Sequence, residues 1–138
     1  MKDTKGAIPV FSLNAVSLTS TATGTGTAVD LKGFDGALMV ADIGTQLDTL
    51  SGSNYGTISF QECATTTAGS FTNIAAADLL GGDNDIIIDA AAEDAIVHYR
   101  TYVGSKRYLR IIMTVTGTLA SGWPCSFVIV KMKPRHAA

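Results

Sequence analysis

The chain has 138 residues, a net charge of −2 and only 16% charged residues, with a mean hydropathy of +0.27. That length suffices for one domain with its own hydrophobic core, so no metal or disulfide staple is required. The charge balance argues against a dedicated nucleic-acid binder, which carries a clear positive excess. No apolar run reaches the ~18 residues that span a bilayer, and the first fifteen residues lack an apolar signal-peptide core. The expectation is a soluble chain, residues 1–138 forming one domain with short polar arms at both ends, made in a cytoplasm.

In chain order, strands are expected over residues 10–20, 26–32, 37–43, 55–63, 85–89, 96–103, 107–118 and 125–133, eight in all. A Thr-rich turn with Gly24 and Gly26 separates the first two. Phe34-Asp35-Gly36 reads as a tight link to the third, because Asp-Gly supplies the positive φ of a hairpin turn. Ser51-Gly52-Ser53-Asn54 is a loop. In 55–63, Ile58 and Phe60 alternate with Thr57, Ser59 and Gln61, the period of a half-buried strand. A single helical turn fits 73–80, and at most one or two turns fit 88–97; Gly81-Gly82-Asp83-Asn84 is another loop. Gly104-Ser105 reads as a short hairpin. In 107–118, Leu109, Ile111, Met113 and Val115 fall on one face and Arg110, Ile112, Thr114 and Thr116 on the other. The first row is expected in the core, facing Ile58 and Phe60 from the opposite sheet. Gly122-Trp123-Pro124 opens the last strand. Short strands with turn signals every eight to twelve residues imply an all-β sandwich or barrel. Eight strands suit a jelly-roll-like β-sandwich of two four-stranded sheets. An immunoglobulin-like sandwich is the alternative, though Cys63 and Cys125 do not frame a tryptophan as that fold's signature requires.

Chemistry is sparse. The two histidines are His98, on a strand, and His136, three residues from the end. No nucleophile motif accompanies them, and neither a histidine–carboxylate cluster nor a zinc spacing is present. Asp83-Asn84-Asp85 resembles the start of a calcium loop, but Ile87 and Ile88 stand where an EF-hand needs an acid or amide and a glycine. It reads as a turn whose Asp side chains bond nearby amides, with a loose surface calcium site as the alternative. TATGTGTAVD has neither the lysine nor the helix of a phosphate-binding loop. The expectation is a non-enzymatic protein without cofactor, metal or small-molecule substrate. Cys63 and Cys125, both in apolar strand-like contexts, are expected to be buried free thiols.

Charge is unevenly placed. From Asp78 to Asp94 there are six acids and no base; from Ala95 to the end there are seven bases and no acid. The two stretches either pair within the fold or face outward as docking surfaces. In GSKRYLRIIMTVTGT, Lys106, Arg107 and Arg110 lead into a core strand. Three cations at a hairpin fall short of a nucleic-acid site. Tyr108 and Arg110 share the face opposite Leu109, half exposed and close enough to stack. They form either a solvated strand face or a protein-contact face, since Tyr and Arg anchor interfaces. The candidate interface therefore comprises Lys106, Arg107, Tyr108, Arg110, Lys131, Lys133 and Arg135.

Three stretches carry a resemblance: the Gly104–Arg110 hairpin GSKRYLR, the central SFQECATTTAGSFTNIAAADLLGG, and GTAVDLKGFDGALMVADIGT upstream. In this order they resemble the jelly-roll cement, or decoration, proteins of tailed bacteriophages, over roughly residues 25–130. The resemblance rests on turn and core residues, so no functional residue carries over. It implies a β-sandwich on the outside of a capsid, clamping neighbouring subunits of the major capsid protein and stiffening the shell against internal DNA pressure. The low charge content agrees with surfaces that become covered on assembly, including by self-association, with a two-fold dimer favoured over a trimer. The alternatives are another virion role, such as a head–tail connector or tail protein, and a carbohydrate- or surface-binding β-sandwich module. The last would present exposed aromatics, and Trp123 is the one tryptophan.

Overall fold

The computed structural model describes residues 6–134, and they form two antiparallel sheets packed face to face. Eleven strand segments occur: β1 (Ala7–Leu18), β2 (Thr23–Thr25), β3 (Val29–Asp30), β4 (Phe34–Ile43), β5 (Tyr55–Cys63), β6 (Thr72–Asn73), β7 (Leu79–Leu80), β8 (Ile86–Ile88), β9 (Val97–Tyr102), β10 (Tyr108–Thr116) and β11 (Trp123–Pro134). The first sheet has the order β1-β11-β4-β9-β7, and the second β2-β10-β5-β6. β3 lies beside β10 in line with β2, and β8 lies beside β5 in line with β6.

Merging β2 with β3 and β6 with β8 leaves eight strands, with β7 as a short added edge. The neighbours are then first with eighth, third with sixth, second with seventh and fourth with fifth. This is a long hairpin folded over on itself, the nested pairing of a jelly roll. It sets the immunoglobulin alternative aside.

The breaks between merged segments have visible causes. Expected strand 26–32 is interrupted because Gly26 N–H still donates to Ile111 O of β10 at 2.9 Å, whereas Thr27 turns to β1, its N–H donating to Ser12 O and its carbonyl accepting from the Ser12 hydroxyl. A Cβ on Gly26 would meet Ser12 Oγ and Ile111 O, so the chain passes there only as glycine. The missing rung between β6 and β8 is replaced by a side chain. Asn84 Oδ1 accepts from Phe60 N at 3.2 Å, and its Nδ2 donates to Phe60 O and to Ile74 O. Between β6 and β8 the chain leaves for the first sheet, where Leu79 pairs with Tyr102.

Several expected turns differ. The link before β4 is made at 31–33, with Gly33 at φ +86° and Phe34 N–H donating to Leu31 O; Asp35-Gly36 lies inside the strand. Both this link and residues 103–107 cross between sheets and are not hairpins. Residues 76–78 form a single 3-10 turn, and residues 89–96 run as turns and bends without a helix.

The core lies between the sheets. Leu109, Ile111, Met113 and Val115 are all buried, as the alternation in β10 implies. Ile58 and Phe60 are buried too, but they stand beside that row and not across from it: Ile111 pairs with Phe60 and Met113 with Ile58 in one sheet. The opposing layer is Met39, Ala41 and Ile43 of β4, Phe127 and Ile129 of β11, and Tyr102 of β9. Trp123 closes one end of the core, its Nε1–H donating to Gly44 O at 2.9 Å. A Cβ on Gly56 would come within 2.7 Å of Trp123 and of Met113, so the indole fits only against a glycine.

Candidate interaction surface

An antiparallel sandwich sends alternate connections to opposite ends. Residues 31–33, 64–71 and 103–107, with the start of β1 and the end of β11, occupy one end. Residues 19–22, 44–54, 89–96 and 117–122 occupy the other. These ends differ in charge. Lys32, Lys106, Arg107, Lys131 and Lys133 gather at the first, in excess over the carboxylates Asp30, Asp35 and Glu62 of the same end. The four loops of the second contain Asp48, Asp89, Glu93 and Asp94 and no lysine or arginine.

The cationic end is built on Tyr102. Its ring is buried, and its hydroxyl donates to Glu62 Oε2 at 2.6 Å while accepting the backbone N–H of Lys106 at 2.9 Å. Burial, reinforced by that carboxylate, pushes the phenol well above its ordinary range. The loop is thereby clipped to the end of the core, and Gly104 is needed because a Cβ there would lie 2.6 Å from the phenol oxygen. Arg107 makes a two-pronged ion pair with Asp30, at 2.9 Å from Nε and 2.8 Å from Nη2. This pair holds Asp30 down at about 2 and raises Arg107. Lys131 Nζ stands 5.0 Å over the Phe34 ring. Leu31, Lys32, Gly33, Phe34, Ser105, Lys106 and Arg107 border a shallow cleft of about 180 Å³, below the ~300 Å³ at which small-molecule pockets begin.

Of the residues expected at the interface, Lys106, Arg107 and Lys131 come together here, with Lys133 exposed beyond them. Arg135 lies outside the described residues, as does His136. Lys32 and Phe34 belong to the same end and were not foreseen, since 26–32 was read as strand and Phe34 as part of a hairpin link. Tyr108 and Arg110 instead face out from the second sheet. They do not stack on one another: Arg107 lies 5.1 Å from the Tyr108 ring, and Arg110 lies 4.3 Å from the Phe71 ring. Arg110 Nε also donates to Gln61 Oε1 at 2.8 Å. Arg110 is thus partly covered, and burial lowers its pKa.

The acidic stretch is divided. Asp78, Asp83 and Asp85 lie along the sheet edges, and Asp85 accepts from the Ser59 hydroxyl at 2.7 Å. Asp89, Glu93 and Asp94 form the far loop. Asp94 is buried and accepts Gln46 N–H at 2.8 Å; Glu93 accepts Asp89 N–H at 3.0 Å. Among the described residues, no cation of the last third forms a salt bridge with a carboxylate of this stretch; Arg107 pairs with Asp30 instead. Arg100, the base nearest the acids, donates to the backbone oxygen of Asp83.

His98 Nε2 lies 2.8 Å from Glu93 O, the bond of a strand histidine holding a loop. Among the described residues no three His, Cys, Asp or Glu side chains gather to hold a metal ion, and no helix is long and apolar enough to cross a membrane. Cys63 and Cys125 are free and buried.

No protein-family model matches the chain, and no curated protein matches it. Among solved structures, it is similar to the crystal structure of PBSX exported protein XepA, with a TM-score of 0.56 and 13% identity over 95% of this chain. The chain spans 38% of the length of that protein. Weaker similarities are to PirA (TM-score 0.35, 9% identity, 95% of this chain and 96% of that one) and to Desmodium yellow mottle tymovirus (0.37, 8%, 100% and 94%). At these identities the likeness to XepA speaks for the β-sandwich fold alone.

Proposed function

We propose that this chain is a non-enzymatic virion structural protein that binds the outside of a bacteriophage capsid as a cement protein, with the major capsid protein as its partner. The observation that carries the reading is the division of charge between the two ends of a rigid jelly roll, unneutralised by pairing between the basic and acidic stretches. A protein that bridges neighbouring shell subunits needs two separated contact surfaces, and opposite signs fix its orientation between them. Buried charge pairs add little net affinity against their desolvation, but they set register and reject wrong partners. The resemblance to decoration proteins supplies the setting. The shallow cleft, and a strand histidine bonded to a backbone oxygen, give catalysis no support.

A head–tail or tail role fits the same fold. A glycan-binding role is less well supported, because Trp123 is buried and cannot serve as a platform. Virion fractionation separates these: stoichiometry near that of the major capsid protein supports cement, and a few copies per particle would move the chain to the neck or tail. Docking through the cationic end is tested with Lys106→Glu plus Lys133→Glu. These exposed side chains are better targets than Arg110, whose charge is engaged with Phe71 and Gln61. Loss of capsid binding with the isolated fold intact is the expected result; wild-type occupancy would overturn docking through this end.

A further inference from the structure

The two sheets wear different outer faces. On the second, Tyr108, Arg110, Ile112, Thr114 and Thr116 of β10 stand with Thr57, Ser59 and Gln61 of β5 and Ile87 of β8, a mostly polar surface with two apolar side chains. On the first, alternation fails because both parities are apolar. One outward row runs Phe11–Val128–Val40–Tyr99 across β1, β11, β4 and β9. The next runs Pro9–Val130–Leu38–Thr101, and Leu80 of β7 extends it. Phe11, Tyr99 and Leu80 are 62%, 57% and 57% exposed. The third row, Ser126–Asp42–Val97, contributes the one charge of the three, and it lies toward the acidic end.

A sheet whose strands are apolar on both sides is normally covered on both sides. We propose that this face is covered by a second copy of the same chain, sheet packed on sheet about a two-fold axis.

Three features favour a second copy. The first is size. Four strands at ~4.8 Å spacing and three rows spanning about five residues give a footprint of roughly 19 by 17 Å, which Leu80 of β7 widens. Corrugation by side chains, with Phe11 and Leu80 at the flanks, brings its accessible area toward the ~600–1,000 Å² per partner of a specific interface. The second is electrostatic. A face bearing one charge at its rim meets its own copy without like-charge repulsion at the centre, and a two-fold axis matches apolar area to equal apolar area. The third is geometric. The face lies at right angles to the charged ends, so pairing leaves both cationic and both acidic ends open. The inference goes beyond the shell-binding reading, and only this third feature rests on it.

Sedimentation equilibrium of the isolated full chain over about 1–100 μM tests it. The expected result is a dimer for the wild type. Val40→Glu and, separately, Val128→Lys should raise the dimer dissociation constant more than ~100-fold, because each buries an unpaired charge in the contact. Both side chains point away from the core, so circular dichroism and thermal unfolding of the monomer should be unchanged. A second measurement needs no variant. Hydroxyl-radical labelling of Phe11 and Tyr99 should fall as concentration rises through the dimer range, while labelling of Ile87, exposed beside the other sheet, stays constant. A monomer at every concentration, a dimer that survives either variant, or concentration-independent labelling of Phe11 and Tyr99 overturns the proposal. All of these are read without capsids, so failure to decorate a shell would leave this result standing. A monomeric Val40→Glu that still decorates would leave the shell reading standing.

Discussion

Asn84 stands in for a strand at Phe60. Its amide accepts the Phe60 N–H at 3.2 Å and donates to the Phe60 carbonyl, bridging the gap between β6 and β8 on the edge of the second sheet. Asn84→Ala should cost about 1–3 kcal/mol, the penalty for leaving a part-buried backbone N–H without a partner. Asn84→Asp should cost at least as much, since the oxygen that replaces Nδ2 would face the carbonyl oxygens of Phe60 and Ile74 as acceptor against acceptor. Urea unfolding of the three proteins gives the order, and an alanine variant as stable as wild type would show that water takes over the role.

The register of β10 makes a sharper contrast. Ile111→Ala should cost ~2–5 kcal/mol, as for other buried aliphatic truncations. Thr114 is exposed on the opposite face, and Thr114→Ala should stay within ~0.5 kcal/mol. Equal losses in chemical denaturation would mean that the two faces are misassigned.

The Arg107–Asp30 pair predicts a pH effect with a definite sign. Asp30 is held at about 2 against an ordinary 3.8. A carboxyl whose pKa is lower in the folded state binds its proton more readily when unfolded, so its stabilising effect is full above about 4 and is lost as pH falls toward 2. Both side chains are substantially exposed, which keeps the effect small. Arg107→Gln should therefore lower Tm modestly at neutral pH and make the fall in Tm between pH 4 and pH 2 shallower. Parallel curves for variant and wild type would rule the pair out as a contributor.

The two thiols should behave differently. Burial alone pushes Cys125 up to about 11, and it lies in a central strand. Cys63 lies at the end of β5, where Thr65 N–H donates to its sulfur and, as the leading cause, lowers its pKa. An alkylating reagent at pH 8 should label Cys63 first and reach Cys125 only on global unfolding. Mass-spectrometric mapping over time decides it, and equal rates would mean that both wait for the same opening.

How much of this could be read from the residues depended on whether one parity was polar. In β5 and β10 the alternation of Ile58, Phe60, Leu109 and Ile111 with Thr, Ser, Gln and Arg marked both the strands and their core face, and β5 has the expected boundaries. The assignment of Ile58 and Phe60 to the opposing sheet failed because periodicity gives a side chain's face but not its neighbours. In β4 and β11, ALMVADI and CSFVIVKM are apolar at both parities, so the strands were visible while the outward apolar face was not. The two-residue segments β6 and β7 are too short for any period. At the charged surface, composition located the cations but not their partners. Asp30 is 77 residues from Arg107, and Phe71 meets Arg110 only because β6 and the loop before it fold back along β5. The Asp83-Asn84-Asp85 turn was recognised, yet its bonding reaches 24 residues back to Phe60 and not to nearby amides.

The nested pairing has a kinetic consequence. β11, the last strand of the fold in sequence, lies between β1 and β4, so the first sheet cannot assemble around its own centre until β11 is available. The pair β5–β8 closes a short loop, whereas β1–β11 must bring together segments more than a hundred residues apart in sequence. Loop-closure entropy orders these events from the inside outward, and a topology so rich in distant pairings belongs with domains that fold in milliseconds to seconds. Until β11 docks, the inner side of β1 has nothing to pair with. A chain in which β11 has yet to dock would therefore expose one long, sticky edge.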